Sequence, residues 1–186
     1  MTISTLVTSL AAEIRLATST LRLPIEYHDS ADEITSRREV QIFEQYIPRD
    51  LYENNTYFPC VVVEWLETHD QLRGEEIRSV ATVGLSFGVF AKEQDGWKDC
   101  FHLMEVVRQR LLSVRTLADR FRLGDEVTWE IGKNQPAPFF FGYAELEYAI
   151  YLPQEPIPLY REQTADLLTP ITPKVYRTDA FTRRIN

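Results

Sequence analysis

The segment from Ile77 to Val114 constrains the fold more than any other part of the chain. It is a long alternating run, a short turn, and then a stripe with helical spacing. Ile77, Ala81, Val83, Leu85, Phe87, Val89 and Ala91 fall on one side of a period-two pleat, and Arg78, Thr82, Ser86 and Lys92 on the other. Gly84 and Gly88 share that second side, which predicts a bulge or a close approach by another group. Gln94-Asp95-Gly96 ends the strand and offers Asp95 as a helix N-cap. Trp97, Phe101, Met104, Val107, Leu111 and Val114 then recur at three- and four-residue spacing as one face of a helix. Lys98, Asp99, Glu105, Arg108, Gln109 and Arg110 take the remaining face. A strand that offers its apolar side to the stripe of the next helix is the nucleus of a two-layer sandwich.

Matching pieces lie on both sides of this nucleus. Thr5–Leu21 reads as a helix with Leu6, Leu10, Ile14 and Ala17 in a stripe, Val7, Ala11 and Leu21 beside it, and Ser4 as N-cap. Leu23-Pro24 stops it. Cys60–Leu66 is a β-branched run, hence a central strand, and Glu67–Glu76 a polar hairpin connection. A short helical piece is expected around Leu117–Phe121, then a strand from Phe121 to Ile131 broken at Gly124-Asp125. The last strand, Phe139–Leu152, places Phe140, Ala144, Leu146, Tyr148, Ile150 and Leu152 on one face. Phe139, Phe141, Tyr143, Glu145, Glu147 and Tyr151 take the other. The expected class is α+β: a mixed, mainly antiparallel sheet of about four strands packed against two helices.

Two stretches fall outside this pattern. Residues 26–59 form a long excursion between the first helix and the sheet, in which Arg38–Tyr46 fits a strand or a short helix. Excursions of this length in compact domains are usually functional or contact a partner. From Pro153 the composition shifts, and half of the chain's 10 prolines fall between Pro153 and Pro173. The domain is therefore expected to span 1–152, with 153–186 an extended arm. The arm also carries Leu159, Tyr160, Leu167, Leu168, Ile171, Val175, Tyr176 and Phe181, more apolar groups than a solvated tail holds. It is expected to lie on something: its own domain, a neighbouring copy or another protein.

Charge and cysteine usage narrow the classes. The formal net charge is −8, which argues against general nucleic-acid binding. No apolar run reaches the roughly 20 residues of a membrane span. The first residues lack a basic start and are interrupted by Glu13 and Arg15, so no signal peptide is expected. Two cysteines give no disulfide framework, and a reducing compartment is the default.

Catalytic signatures are sparse. His28-Asp29-Ser30 holds triad residue types, but a triad is assembled in space, and adjacency makes a polar loop the better reading. Cys60, His69, Cys100 and His102 suggest zinc ligands, yet Cys100 and His102 sit two apart on a helix and face different ways. The structural reading places Cys100 at the core and His102 outside. No metal or cofactor is expected. Glu145 and Glu147 share one strand face, with Glu64 on a candidate neighbouring strand. Paired carboxylates serve hydrolases, and a solvated sheet face is the plainer alternative. In a ring, such a face supplies an acidic lumen that repels phosphates. Phe139, Phe140 and Phe141 cannot all enter one core, so Phe139 and Phe141 need cover from the arm, the excursion or a partner.

The order of these pieces carries a resemblance. An N-terminal amphipathic helix precedes CVVVEWLE, then IRSVATVGLSFGVFA, then DGWKDCFHLMEVVRQRLL, then FFFGYAELEYAIYL. This resembles the tail terminator family of tailed bacteriophages, also called tail completion or minor tail proteins, over roughly Met1 to Leu152. The resemblance implies a non-enzymatic α+β subunit that closes into a sixfold ring on the last ring of the tail tube. Such a ring stops tube growth and presents a surface to the neck or connector protein. The implied partners are further copies of the chain, the tail tube protein, the connector and, through the excursion or arm, a contractile sheath. DNA would pass through the lumen without specific binding, and no membrane is involved. Glu64, Glu145 and Glu147 are the candidate lumen face, and Phe139, Phe141, Tyr160, Tyr176 and Phe181 the candidate protein contacts. The implied location is the virion head–tail junction, with assembly in the host cytoplasm. Another neck component, such as a head-closure protein, is the alternative, and a small hydrolase using Glu145 and Glu147 a third reading.

Overall fold

The computed structural model describes residues 3–25, 36–53, 56–73, 76–92, 94–133, 135 and 137–150. The chain divides into two units, Met1–Leu152 and Pro153–Asn186. The second lies outside the described residues, as do the arm contacts Tyr160, Tyr176 and Phe181 and the His28-Asp29-Ser30 stretch.

The first unit is α+β, as its patterning predicts, with a larger sheet than expected. In chain order it has α1 (Ile3–Thr18), β1 (Arg22–Ile25), β2 (Ser36–Glu39), β3 (Gln41–Glu44) and α2 (Arg49–Glu53). Then come β4 (Cys60–Arg73), β5 (Glu76–Phe90), α3 (Gly96–Ser113), β6 (Thr116–Leu117), β7 (Phe121–Ile131) and β8 (Phe139–Ile150). The main sheet has six strands in the order β3-β4-β5-β8-β7-β6, and β1-β2 is a separate antiparallel ribbon. Only β3 pairs in parallel with its neighbour β4; the remaining pairings are antiparallel. The four expected strands are the inner four. Strand β3 falls within Arg38–Tyr46, where a strand or a short helix is expected, whereas the sequence reading lacks β6, the ribbon and the third helix.

One face of the sheet is the core. Ala81, Val83, Leu85, Phe87 and Val89 of β5 are buried beside Phe140, Ala144, Leu146 and Tyr148 of β8, as the pleat requires. Helix α1 covers β3 and β4, and α3 covers β5 and β8. Leu6, Val7, Leu10, Ala11 and Ile14 supply the buried stripe of α1. Arg110 joins the helices through Glu13 at 2.7 Å, and Arg15 and Thr8 hold Glu44 of the edge strand at 3.1 and 2.8 Å.

Several local expectations change. Helix α1 ends at Thr18, before Leu23-Pro24, because Thr18 and Ser19 hydroxyls donate to the carbonyls of Ile14 and Leu16. Ser4 lies inside its first turn and is not the N-cap. Asp95 precedes α3 in helical conformation without a side-chain cap; its carboxylate takes Lys98 Nζ at 2.6 Å instead. Leu117–Phe121 is no helix, since Ala118 and Asp119 adopt φ of 47° and 55° in the turn between β6 and β7. The Glu67–Glu76 hairpin connection holds more strand than expected: Glu67–Arg73 of β4 pair with Glu76–Thr82 of β5, past a register shift between Trp65 and Glu67.

Helix α3 is rotated relative to the expected stripe. Cys100 and Leu103 enter the core with Met104, Val107 and Leu111, whereas Trp97 and Phe101 are 47% and 55% exposed. Gly142 on β8 makes this seating possible, because an added Cβ there would stand 2.2 Å from Met104 Sδ. Tyr148 is the polar exception inside the core: its hydroxyl is buried and has no hydrogen-bond partner among the described residues. Burial pushes that phenol well above its ordinary pKa. Tyr148→Phe is therefore expected to leave stability unchanged or raise it by about 1 kcal/mol in a urea titration.

Candidate functional site

The opposite face of the sheet has two parts, one closed and one open. At the closed end, Gly88 of β5 leaves room for the Phe58 ring, which would stand 2.8 Å from a Cβ at that position. Phe58 is 1% exposed and packs its ring against Tyr57, Phe90, Phe139 and Phe141, at centroid distances of 4.2, 6.1, 5.5 and 6.1 Å. Phe43, Ile47 and Leu51 complete this second apolar cluster. The close approach anticipated at the β5 glycines is thus met at Gly88. Phe139 and Phe141 receive their cover from the excursion within their own subunit and are half-buried. Of the covers expected for them, the excursion supplies this one, and the third aromatic, Phe140, sits in the main core.

At the open end the register builds an acidic row. Glu64 of β4 stands opposite Gly84 of β5, Gly84 opposite Glu145 of β8, and Glu145 opposite Thr128 of β7. Glu64 and Glu145 are therefore not on neighbouring strands, as expected, but flank a residue with no side chain. Glu147 follows on the next row, opposite Thr82. A shallow depression of about 290 Å³ lies along the row, lined by Glu64, Leu66, Gly84, Ser86, Thr128, Glu130, Tyr143 and Glu145. Ser86 Oγ donates to Glu64 at 3.4 Å. Glu130, Glu145 and Glu147 are exposed and Glu64 is half-buried, so the face presents carboxylates directly to solvent. The sequence reading puts Tyr143 on this face without a site role and does not single out Glu130. The alternation of Glu126, Thr128 and Glu130 in the Phe121–Ile131 strand is the signal that finds Glu130.

The other candidate chemistry disperses. Cys60 belongs to the Phe58 cluster and Cys100 to the main core. Burial pushes both thiols up to about 12, which keeps them protonated and unreactive at neutral pH. His69 is exposed, 3.0 Å from Glu67, and His102 is exposed on α3. Among the described residues, no three His, Cys, Asp or Glu side chains gather as a metal site. No described helix is long and apolar enough to cross a membrane. Comparison of the chain with models of known protein families and with curated proteins finds no match.

Proposed function

We propose that this chain is a structural virion protein of the tail-terminator type, acting as a ring on the head-proximal end of a phage tail tube. The observation that carries the reading is the one-sided sandwich. Helices close one sheet face, and the other presents a carboxylate row across four strands with no described element over it. An acidic face suits a lumen, because it repels phosphates and lets duplex slide without adhering. The resemblance in element order supports the same subunit class. In this reading the chain performs no chemistry. It binds copies of itself, the tube protein and the connector, at the head–tail junction after assembly in the host cytoplasm.

The test is direct. Purified protein viewed in negative stain is expected to form rings, and its addition to elongating tail tubes to arrest their growth. A persistent monomer that leaves tube length unchanged overturns the proposal. Binding to filled heads in preference to tails replaces it with a neck component.

A further inference from the structure

The main sheet ends differently on its two sides. At the β3 edge, Gln41 and Gln45 N–H donate inward to Pro59 O and Val63 O, so the backbone groups of Ile42 and Glu44 turn outward. Arg15 of α1 fills that edge, donating to Ile42 O at 3.2 Å and to the Glu44 carboxylate at 3.1 Å. On the other side, β6 and Arg115 cover β7 only as far as Leu123. Past the register shift between Leu123 and Val127, Val127–Ile131 pairs with β8 and has no strand on its outer side among the described residues. Gly132 N–H donates to Phe141 O at 3.0 Å, so antiparallel alternation turns the backbone groups of Val127, Trp129 and Ile131 outward. Such an edge is a template for another strand.

The side chains select the strand that fits. Val127 and Trp129 pack on the main core, with the Trp129 ring 6.1 Å from that of Phe87, and Ile131 follows on the same side of the pleat. Thr128 and Glu130 line the acidic depression on the other side. The five residues alternate apolar and polar about Trp129, so the pattern is the same in either direction. Turned antiparallel and centred on Trp129, a second copy sets Val127 against Ile131, Trp129 against Trp129 and Thr128 against Glu130. The outward-facing residues are then the ones that exchange main-chain bonds. Exposed Asp125 and Glu126 come to exposed Lys133 and to Gly132, which has no side chain. Centring on Thr128 instead opposes Glu126 to Glu130, and centring on Glu130 opposes that carboxylate to its own copy; like charges directly opposite destabilise a pair.

We propose that two copies of this chain join through antiparallel pairing of their Val127–Ile131 edges. Main-chain bonds give the contact its affinity. Apolar pairs on one side and opposite charges at the two ends give it its register. The two-fold axis passes through the Trp129 pair normal to the sheet, so both helix layers lie on one side and both acidic faces on the other. An isologous contact of this kind pairs copies and does not itself close a ring. It goes beyond the ring reading and does not depend on it: added to a ring contact, it joins subunits of two rings.

The test mixes two full-length chains with tags of different length, one carrying Thr128→Cys and the other Glu130→Cys, under mild oxidation; native Cys60 and Cys100 are buried. Facing residues 128 and 130 lie within the roughly 4.4–6.8 Å between Cα atoms that a disulfide spans, whereas two copies of residue 128 stand beyond about 7 Å. The expected product on a non-reducing gel is a mixed dimer that neither variant alone matches in yield. Adding Lys133→Glu to both chains is expected to lower that yield roughly two- to fivefold, the range of an exposed ion pair, and Asp125→Lys to restore it. Val127→Pro removes an outward N–H without touching the β8 ladder and is expected to lower the yield roughly tenfold. A mixture that gives no mixed dimer, or no more dimer than either variant alone, overturns the pairing and leaves the ring reading standing. A mixed dimer from protein that forms no rings supports the pairing and counts against the ring reading alone.

Discussion

Replacing Phe58 with alanine is expected to remove about 3–5 kcal/mol of stability, the range for a fully buried aromatic cut back to a methyl group. The ring is the common neighbour of four aromatic side chains drawn from the excursion, β5 and β8. Its loss opens a cavity at the centre of the second apolar cluster, and the cost grows with the volume that the surrounding rings leave unfilled. It also uncovers Phe139 and Phe141, which lie half-buried beneath it. Urea unfolding measures the loss, and dye binding to the exposed aromatics reports the second effect. Phe58→Leu retains most of the volume and is expected to cost under about 1.5 kcal/mol. A companion substitution approaches the same contact from below: Gly88→Ala places a methyl 2.8 Å from the ring and 3.0 Å from Cys60 Sγ. A loss below about 1 kcal/mol for Phe58→Ala would mean that the excursion is held by something other than this cluster.

The dependence on Phe58 marks where the sequence stops being readable. Strands β5 and β8 are legible because each has one apolar and one polar face, and burial follows that alternation along β8 and, apart from buried Thr82 and Gly88, along Ser79–Phe90 of β5. Helix α3 is legible as a helix but not in its rotation. Trp97 and Phe101 lie at the same spacing as Cys100, Leu103 and Met104, so the apolar arc is wider than the buried one. Close packing over Gly142 selects the narrower side chains. Strand β3 stays ambiguous between strand and short helix, and β6 is invisible, because four or two residues at a sheet edge carry too little pattern. The β4–β5 hairpin extends past the expected strand ends through polar residues, where alternation of hydrophobicity no longer reports strand structure. The acidic face was legible strand by strand. The meeting of Glu64 and Glu145 across Gly84 was not, since it depends on which strands pair and in what register.

Reversing the acidic row is expected to turn an inert face into a DNA-binding one. Glu64→Lys, Glu145→Lys and Glu147→Lys together change the formal net charge from −8 to −2. The three side chains stand outside the core clusters, and the one hydrogen bond described among them, Ser86 to Glu64, is long. The melting temperature is therefore expected to stay within a few degrees of wild type, about what surface substitutions cause. Duplex affinity at low salt is expected to rise at least tenfold and to fall with log salt at a slope of roughly −2.7 per engaged subunit, from three phosphate contacts. A matched variant separates local field from total charge. Glu53→Lys, Asp95→Lys and Asp119→Lys produce the same net charge on α2, before α3 and in the β6–β7 turn, away from the row. If the acidic face is a lining, only the first triple slows DNA passage or binds duplex, because a potential concentrated on one face acts where that face meets phosphate. Equal binding by both triples would assign the effect to net charge and leave the row without a role as a lining. No binding by either would show that the face never approaches DNA closely enough for its sign to matter.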